Sequence, residues 1–568
     1  MGAAHPRETS SDLALIDRDI EALAAGAASW ATRNLYDRIA LLTRTHATIA
    51  GAAEAWATAA IAAKGGPGGS WEGEEWIAGP YAALSGVAAA IESLEKIRRG
   101  QSPAAGLKIG AAPGGRTTLE VLPGNRHESA LLNGFHGEVW LTPGTSARRA
   151  VASAGLGARR FNENGGVGLV LGAGNISSIG PLDVLYELIA HNRASILKLN
   201  PTFSGLADAY TAAFRPLIVA GLLRIANGGP DIGAYLTGHP GIGHVHITGA
   251  QRTHDLIVWG SDTDKPATPK LGKPITSELG GVSPIIVIPG RWTEADLRYQ
   301  AEHVATQRLH NAGHNCIAGQ ALILSADWEQ KDDFLAALRD VLASLPGRPA
   351  WYPGSDARID AATDNYPAAE RIGGRALIEV TPDTSQDLFS TEYFAPVLGY
   401  TCLPGSGTEF FDNAVEFANT KLYGTLGASI IVAPRERRRM GTAFDDALAR
   451  LRYGTIGVNV WSGIGFLIPG LSWGAYPGNT LDDVGSGIGT VHNAHLLEDV
   501  ERSVLYGPFR PFPRSVFKVL NREFALSPKP TWFVTNKTAT ATAQLLTQFS
   551  AQPRWSKLPA ILNQAMRG

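Results

Sequence analysis

Apolar positions along the first sixty residues recur at steps of three and four. Leu13, Ile16, Ile20 and Leu23 fall on one helical face, so the stretch from 12 to 64 is predicted to be helical. Gly65-Gly66-Pro67-Gly68-Gly69-Ser70 then breaks the pattern and predicts a loop, and a further helix is expected over 81–98. Residues 118–144 alternate and carry turn formers, which suits a β-hairpin. From 165 onward short β-branched runs alternate with longer helical segments. Strands are expected at 167–171, 194–199 and 244–248, with helices at 182–192 and 216–223 between them. The alternation resumes with a strand at 285–288, a helix at 293–309, a strand at 321–324 and a helix at 328–345. Strand–helix–strand order of this kind argues for parallel sheets with crossover helices, hence two α/β domains in series. Residues 486–568 show no clear period.

Composition narrows the class. A chain of 568 residues exceeds what one core organises efficiently, so two or three domains are expected. With 50 basic and 52 acidic residues it has no general attraction for nucleic acid. Two cysteines cannot build a disulfide framework, which suits a reduced, cytoplasmic setting. The first eight residues lack a basic run followed by an apolar core, so no secretory signal is read there. Gly205 to Leu223 comes nearest to an apolar span but holds Asp208 and Arg215, so no transmembrane helix is expected.

Candidate chemistry centres on Cys316, in His310-Asn311-Ala312-Gly313-His314-Asn315-Cys316, and on Glu278, 38 residues earlier, in Glu278-Leu279-Gly280-Gly281-Val282-Ser283-Pro284. A thiolate is a strong nucleophile, and a polar, partly open loop would lower its pKa. A carboxylate on a Gly-Gly turn could swing to serve as a general base. Taken singly, each also fits a plain role: an inert buried thiol, a capping glutamate. Cys402 lies in a core-like strand and is set aside. Asn175 follows a strand, where its amide could serve a developing oxyanion or simply shape a turn. Lys198 ends the next strand, where dinucleotide folds hold the adenosine ribose; Thr248-Gly249 opens a helix suited to a pyrophosphate. Gly172-Ala173-Gly174 lacks the last glycine of a dinucleotide fingerprint and is a weak signal. Histidines 239, 244, 246 and 254 have no tight ligand spacing, so no metal is expected.

Together these segments resemble the aldehyde dehydrogenase superfamily. Gly174-Asn175, Lys198, Thr248-Gly249, the Glu278 and Cys316 motifs, Glu392-Tyr393-Phe394-Ala395-Pro396-Val397 and Gly457-Val458-Asn459 occur in the family's order over roughly residues 15 to 490. The resemblance implies an α/β fold with a Rossmann-type cofactor domain (1–278), an α/β catalytic domain (279–485) and a small β oligomerisation element. The 128–150 hairpin and a tail strand within 486–568 would join subunits into a homodimer or homotetramer. It implies that Cys316 attacks an aldehyde to give a thiohemiacetal, with the oxyanion held by the Cys316 N–H and Asn175. Hydride loss would leave a thioester, for whose hydrolysis Glu278 activates water. NAD or NADP would be bound by Lys198, Thr248, Gly249, Leu279, Glu392 and Phe394. Trp461 and Phe466 are candidate walls of the substrate tunnel.

Departures from the family pattern are Ala173-Gly174 before Asn175, His254 in place of a helix-start glycine, and Pro201 in place of an acid that would repel NADP. Two other functions remain open on the sequence. One is CoA-acylating aldehyde oxidation, against which the retained Glu278 argues; the other is a non-catalytic scaffold, which predicts loss of the nucleophile or base.

Overall fold

Residues 10–161, 163, 165–383 and 386–568 are described by the structure, a computed structural model; the N-terminal stretch read for a secretory signal lies outside them. Strands Val167–Leu171, Ala194–Lys198, His244–Gly249 and Ile275–Leu279 are buried along most of their length, and the edge strand Leu223–Ala226 along half of it. Continuous apolar runs behave this way when helices cover both faces of a parallel sheet. In space the order is Gly487–Ile488, Ile275–Leu279, His244–Gly249, Val167–Leu171, Ala194–Lys198, Leu223–Ala226, with only the first antiparallel to its neighbour. The chain runs outward from Val167–Leu171 to one edge and then returns to fill the other side. The strand order therefore reverses between Val167–Leu171 and His244–Gly249, and the crevice beyond their carboxyl ends is where such folds take ligands.

A second sheet has eleven strands. Its parallel centre is Ser283–Val287, Gly319–Ser325, Val397–Leu403, Gly427–Ile431 and Thr455–Val458. Val500–Tyr506 runs parallel to Thr455–Val458 and pairs on its other side, antiparallel, with His136–Leu141. Arg116–Leu122 and Lys108–Ala112 extend that edge. The hairpin region and the tail strand, implied to join subunits, thus hydrogen-bond within one chain's sheet. A short helix, Arg126–Leu131, interrupts the expected hairpin.

Element boundaries follow local chemistry. The helix Glu294–Leu309 starts at a capping box in which Thr293 and Asp296 exchange side-chain and backbone hydrogen bonds. Where a helix was expected over 216–223, Arg215–Val219 is helical and Leu223–Ala226 is a strand. Gly221, at φ 69°, makes the turn that the apolar pattern hid. The helical segment Glu72–Arg98, kinked at Gly79, has the length and apolarity to cross a membrane, a feature the sequence reading did not anticipate, yet 56% of its apolar 18-residue window is buried within the fold. It packs against Leu35–Ala63 and Ile179–Ala190. The final segment, unreadable from periodicity, adds helices Ala539–Ala551 and Leu558–Ala565. Phe533 stacks on Tyr299 at 5.2 Å and on His303 at 5.4 Å, so the extension roofs the helix Glu294–Leu309.

Backbone contact sets one exacting constraint. A Cβ at Gly26 would lie 1.9 Å from the Gly221 carbonyl oxygen, so the first helix meets the sheet's edge turn without room for a methyl group. Gly26→Ala is expected to lower the melting temperature, at an overpacking cost of about 1–3 kcal/mol. Thermal unfolding followed by circular dichroism checks it; an unchanged transition would mean the first helix is not seated there.

Candidate active site

The loop that carries the cysteine is forced into an uncommon shape. Asn311 and Ala312 both adopt left-handed backbone, at φ 57° and 53°, and Gly313 follows at φ 80°. Successive non-glycine residues in this region cost energy and persist only when surrounding contacts over-determine them. Those contacts come from the N-terminal helices. Glu74 accepts from the Asn311 backbone N–H at 2.9 Å. Lys64 donates to Asn311 Oδ1 at 2.9 Å and to Glu75 at 2.7 Å, with Lys64 and Glu75 both buried. Arg348 completes the set by pairing with Glu74 at 2.7 Å. Asn311 Nδ2 in turn donates to the backbone oxygens of Asn175 and His314, each at 3.0 Å. A Cβ at Gly73 would lie 2.7 Å from the Ala539 carbonyl carbon, so the C-terminal extension braces the helix that presents Glu74 and Glu75.

That loop delivers Cys316 to Glu278: the thiol donates to the carboxylate at 3.0 Å. Two expectations need correction. Glu278 does not ride on a free turn; it lies in the strand Ile275–Leu279, paired with Thr248 on one side and Gly487 on the other. Nor is the thiol activated by an open polar loop. The residue as a whole is half-buried, but burial, reinforced by the negative charge of Glu278 and the hydrogen bond to it, pushes the thiol well above its ordinary range. Burial also raises the Glu278 carboxyl. Both shifts favour a proton held between sulfur and oxygen over ionisation of the two groups together.

Asn175 is buried beside the loop, one of its amide hydrogens engaged by the His314 carbonyl at 3.0 Å. The second N–H of that amide is the one available to another acceptor. Thr248 and Glu278 are register partners, so both point to the sheet face covered by the helix Ile179–Ala190. That helix carries Asp183 and Glu187 one turn apart, opposite His246 and His244 of the neighbouring strand. Asp183 lies 3.5 Å from His246 Nε2 and 3.2 Å from His492 Nε2. Despite burial, His246 and His492 hold the Asp183 carboxyl below its ordinary range. Glu187 pairs with Arg193 at 2.8 Å and approaches His244 at 3.3 Å. The histidines are thus spoken for by carboxylates. Among the described residues no group of three or more His, Cys, Asp or Glu is arranged to hold a metal.

Phe466, Trp473 and His492 border an apolar cavity with Leu182, Leu185 and Leu471. Cys316 does not line that cavity, but it packs against an apolar cluster that shares Phe466, Ile468, Leu471 and Trp473 with it. Trp461 instead donates its indole N–H to the Ile317 carbonyl at 3.2 Å and stands behind the cysteine loop.

The remaining predicted residues lie around the carboxyl ends of the smaller sheet. Lys198 ends its strand and is buried. Gly249 and Ala250 are exposed at the start of the helix Gln251–Trp259, which has no side-chain cap. His254 stands in the first turn of that helix, as its position in the sequence suggested, with its side chain fully buried. Glu392 comes from the larger sheet's side, and a Cβ at Gly280 would lie 2.1 Å from its carboxylate. Its Oε1 is buried with no hydrogen-bond partner, and burial pushes the carboxyl up to about 8. An unpartnered buried acceptor beside Leu279 and Gly280, with an uncapped helix start across the crevice, fits the ribose and phosphate donors and acceptors of a nicotinamide dinucleotide. Phe394, at φ 46°, lies in an aromatic group with Tyr352 at 4.9 Å and His314 at 5.8 Å.

Sequence reasoning missed Lys64, Glu74, Glu75, Asp183 and His492. A lone lysine closing an Ala-rich run and the three acids between Trp71 and Trp76 were the available signals; Asp183 and His492 gave none before folding.

Comparison with known proteins comes out consistently. Residues 183–357 match the model of the aldehyde dehydrogenase family. A stretch of 265 residues is 26% identical to N-succinylglutamate 5-semialdehyde dehydrogenase of Sphingopyxis alaskensis, covering 42% of this chain and 49% of that protein, so the match spans about half the relative's length. Among solved structures, the chain resembles gamma-glutamyl-gamma-aminobutyraldehyde dehydrogenase of Burkholderia cenocepacia, with a TM-score of 0.59 and 20% identity over 87% of this chain and 88% of that one. A mutant of aldehyde dehydrogenase C from Pseudomonas syringae, complexed with NAD+ and octanal, gives a TM-score of 0.58 at 20% identity, covering 88% and 90%. NADP-dependent glyceraldehyde-3-phosphate dehydrogenase of Bacillus halodurans, complexed with NADP, gives 0.56 at 17%, covering 87% and 91%. At these identities the structural matches speak for the fold.

Lys64→Met is expected to destabilise the protein by about 3–5 kcal/mol, because Glu75 would stay buried and charged without its partner. Replacing Glu75 with Gln in the same protein should recover part of the loss. Denaturant unfolding of the two variants checks this; equal stability of Lys64→Met and wild type would mean the pair does not hold the loop.

Proposed function

We propose that this chain, a member of the aldehyde dehydrogenase superfamily, oxidises an apolar aldehyde to a carboxylic acid with NAD or NADP. The single observation that carries the reading is the 3.0 Å contact between the Cys316 thiol and the Glu278 carboxylate at the mouth of the crevice.

Glu278 is placed to take the thiol proton as sulfur attacks the carbonyl carbon, giving a thiohemiacetal on Cys316. Because the thiol is raised well above its ordinary range, little free thiolate stands at neutral pH, and proton transfer to Glu278 accompanies attack. The oxyanion would be met by the Cys316 N–H and the uncommitted Asn175 amide hydrogen. NAD(P), when bound, would supply the hydride acceptor. A thioester then remains on Cys316. With sulfur acylated, Glu278 no longer has the thiol as its hydrogen-bond partner; once the proton taken from the thiol has passed to solvent, its carboxylate can orient and deprotonate a water. Asp183 and His492, on the same side of the sheet, lower and raise the local potential at Glu278 in opposite directions. Lys198, Thr248, Gly249, Leu279 and Glu392 would hold the dinucleotide, with Glu392 Oε1 accepting from a ribose hydroxyl. Phe394 would support that end of the site through His314.

The apolar cavity bounded by Leu182, Leu185, Phe466, Leu471 and Trp473 supports a hydrophobic substrate tail, since each buried methylene adds about 0.8 kcal/mol. Retention of Glu278 in contact with sulfur favours water over CoA as the acyl acceptor.

Cys316→Ala is expected to abolish NAD(P)H formation from medium-chain aldehydes, measured by absorbance. Glu278→Gln should slow steady turnover by about a hundredfold or more and leave a thioester detectable by intact mass. Unchanged turnover in either variant would remove that residue from the mechanism, and acceleration by added CoA in wild type would reverse the choice of acceptor. In a series of straight-chain aldehydes, kcat/KM should rise with chain length and lose that trend in Trp473→Ala. A flat series in wild type would reject the apolar substrate class.

A further inference from the structure

One short segment holds an apolar surface that the fold does not use. Phe517, Val519, Leu520, Phe524 and Leu526 are 80%, 55%, 97%, 54% and 47% exposed. They are five of the twelve large hydrophobic side chains left exposed among the described residues, gathered within ten positions. Concentrated exposure of this kind marks an interaction surface, whereas scattered single exposures need no explanation. The segment is also built. Ser515 donates to the Ala525 carbonyl at 2.5 Å, Phe512 N–H to the Ser527 carbonyl at 2.8 Å, and Leu526 N–H to Asn133 Oδ1 at 2.8 Å. Its neck is therefore tied to the body while a short turn at Val519–Asn521 carries the apolar tip outward.

Charge identifies the partner. Beside the tip lies an open hollow of about 600 Å³ lined by Arg437, Arg438 and Arg522, with Phe524 on its wall. Arg438 donates to the Asn521 carbonyl at 2.5 Å, which fixes the basic helix Pro434–Met440 against the apolar turn. That helix carries Arg435, Arg437, Arg438 and Arg439 against one acid, Glu436, and Lys518 and Arg522 add two more cations from the turn itself. Asp445 lies 3.9 Å from Arg437, and Glu523 is engaged by Arg510. In a chain of formal net charge −2, this is a local excess of positive charge.

We propose that the tip Phe517–Leu526 and the adjoining arginine hollow dock the protein onto an anionic lipid surface. Apolar side chains enter the headgroup–acyl boundary, and the arginines receive lipid phosphates. This is a surface contact and does not involve the buried helix Glu72–Arg98. A second copy of the chain fits less well, because a twofold contact would bring the same arginines face to face. Nucleic acid would engage the arginines but leave Val519, Leu520 and Leu526 without a stacking role.

The experiment is co-sedimentation of the full-length protein with phosphatidylcholine vesicles, with and without phosphatidylglycerol. Binding to the mixed vesicles is expected to exceed binding to phosphatidylcholine alone by about tenfold or more, and to fall as salt rises. Phe517→Ser with Leu520→Ser should abolish it, and Arg438→Glu with Arg522→Glu should remove the anionic preference. Both pairs should keep solution activity, since none of these residues lies in the site, and Phe517→Ser with Leu520→Ser should also keep the wild-type melting temperature. Equal binding to both vesicle types, no binding, or unchanged binding in the variants would overturn the proposal. So would sedimentation velocity showing that Phe517→Ser with Leu520→Ser splits an oligomer, which would make the patch a self-interface.

Discussion

A thiol and a buried carboxylate 3.0 Å apart disfavour carrying charge together. That constraint organises the rest of the site. Burial raises both groups, which favours one proton held between them over two negative charges. Holding such a pair requires that neither partner relax away. Glu278 is fixed by strands on both sides, and Cys316 by a loop whose left-handed residues would revert without outside contacts.

Those outside contacts reach far along the chain. Lys64, Glu74 and Glu75 lie more than 230 positions before Asn311, yet they hold its backbone and side chain. The helix that carries both acids is braced by Ala539, near the other end of the sequence. Helices carrying Lys64, Glu74 and Glu75, and the segment at Ala539, therefore support the loop together, and the C-terminal extension acquires a physical role. Buried ion pairs of this kind add little net stability, but they impose one geometry because removing either partner is costly.

Much of the architecture was legible because it rests on local pattern. Short β-branched runs at 167–171, 194–199 and 244–248 became central strands, and the helix expected over 293–309 forms as Glu294–Leu309. The pairing of Cys316 with Glu278 was legible from the order of two short motifs. What escaped the sequence depends on tertiary contact. Whether Glu278 sits on a turn or a paired strand is decided by Gly487, over two hundred residues away. Asp183 and His492 meet only because a helix and a distant loop cover the same sheet face. The tail strand's pairing with His136–Leu141 and Thr455–Val458 in its own chain is likewise a matter of topology.

The most direct test of the proton-sharing pair is an ultraviolet titration of the Cys316 thiolate, taken as the difference between wild type and Cys316→Ser across alkaline pH. The account predicts a midpoint above that of a free cysteine, about 8.5, moving downward in Glu278→Gln as the neighbouring negative charge is removed. A wild-type midpoint at or below the free value, or one indifferent to the Glu278 substitution, would contradict it.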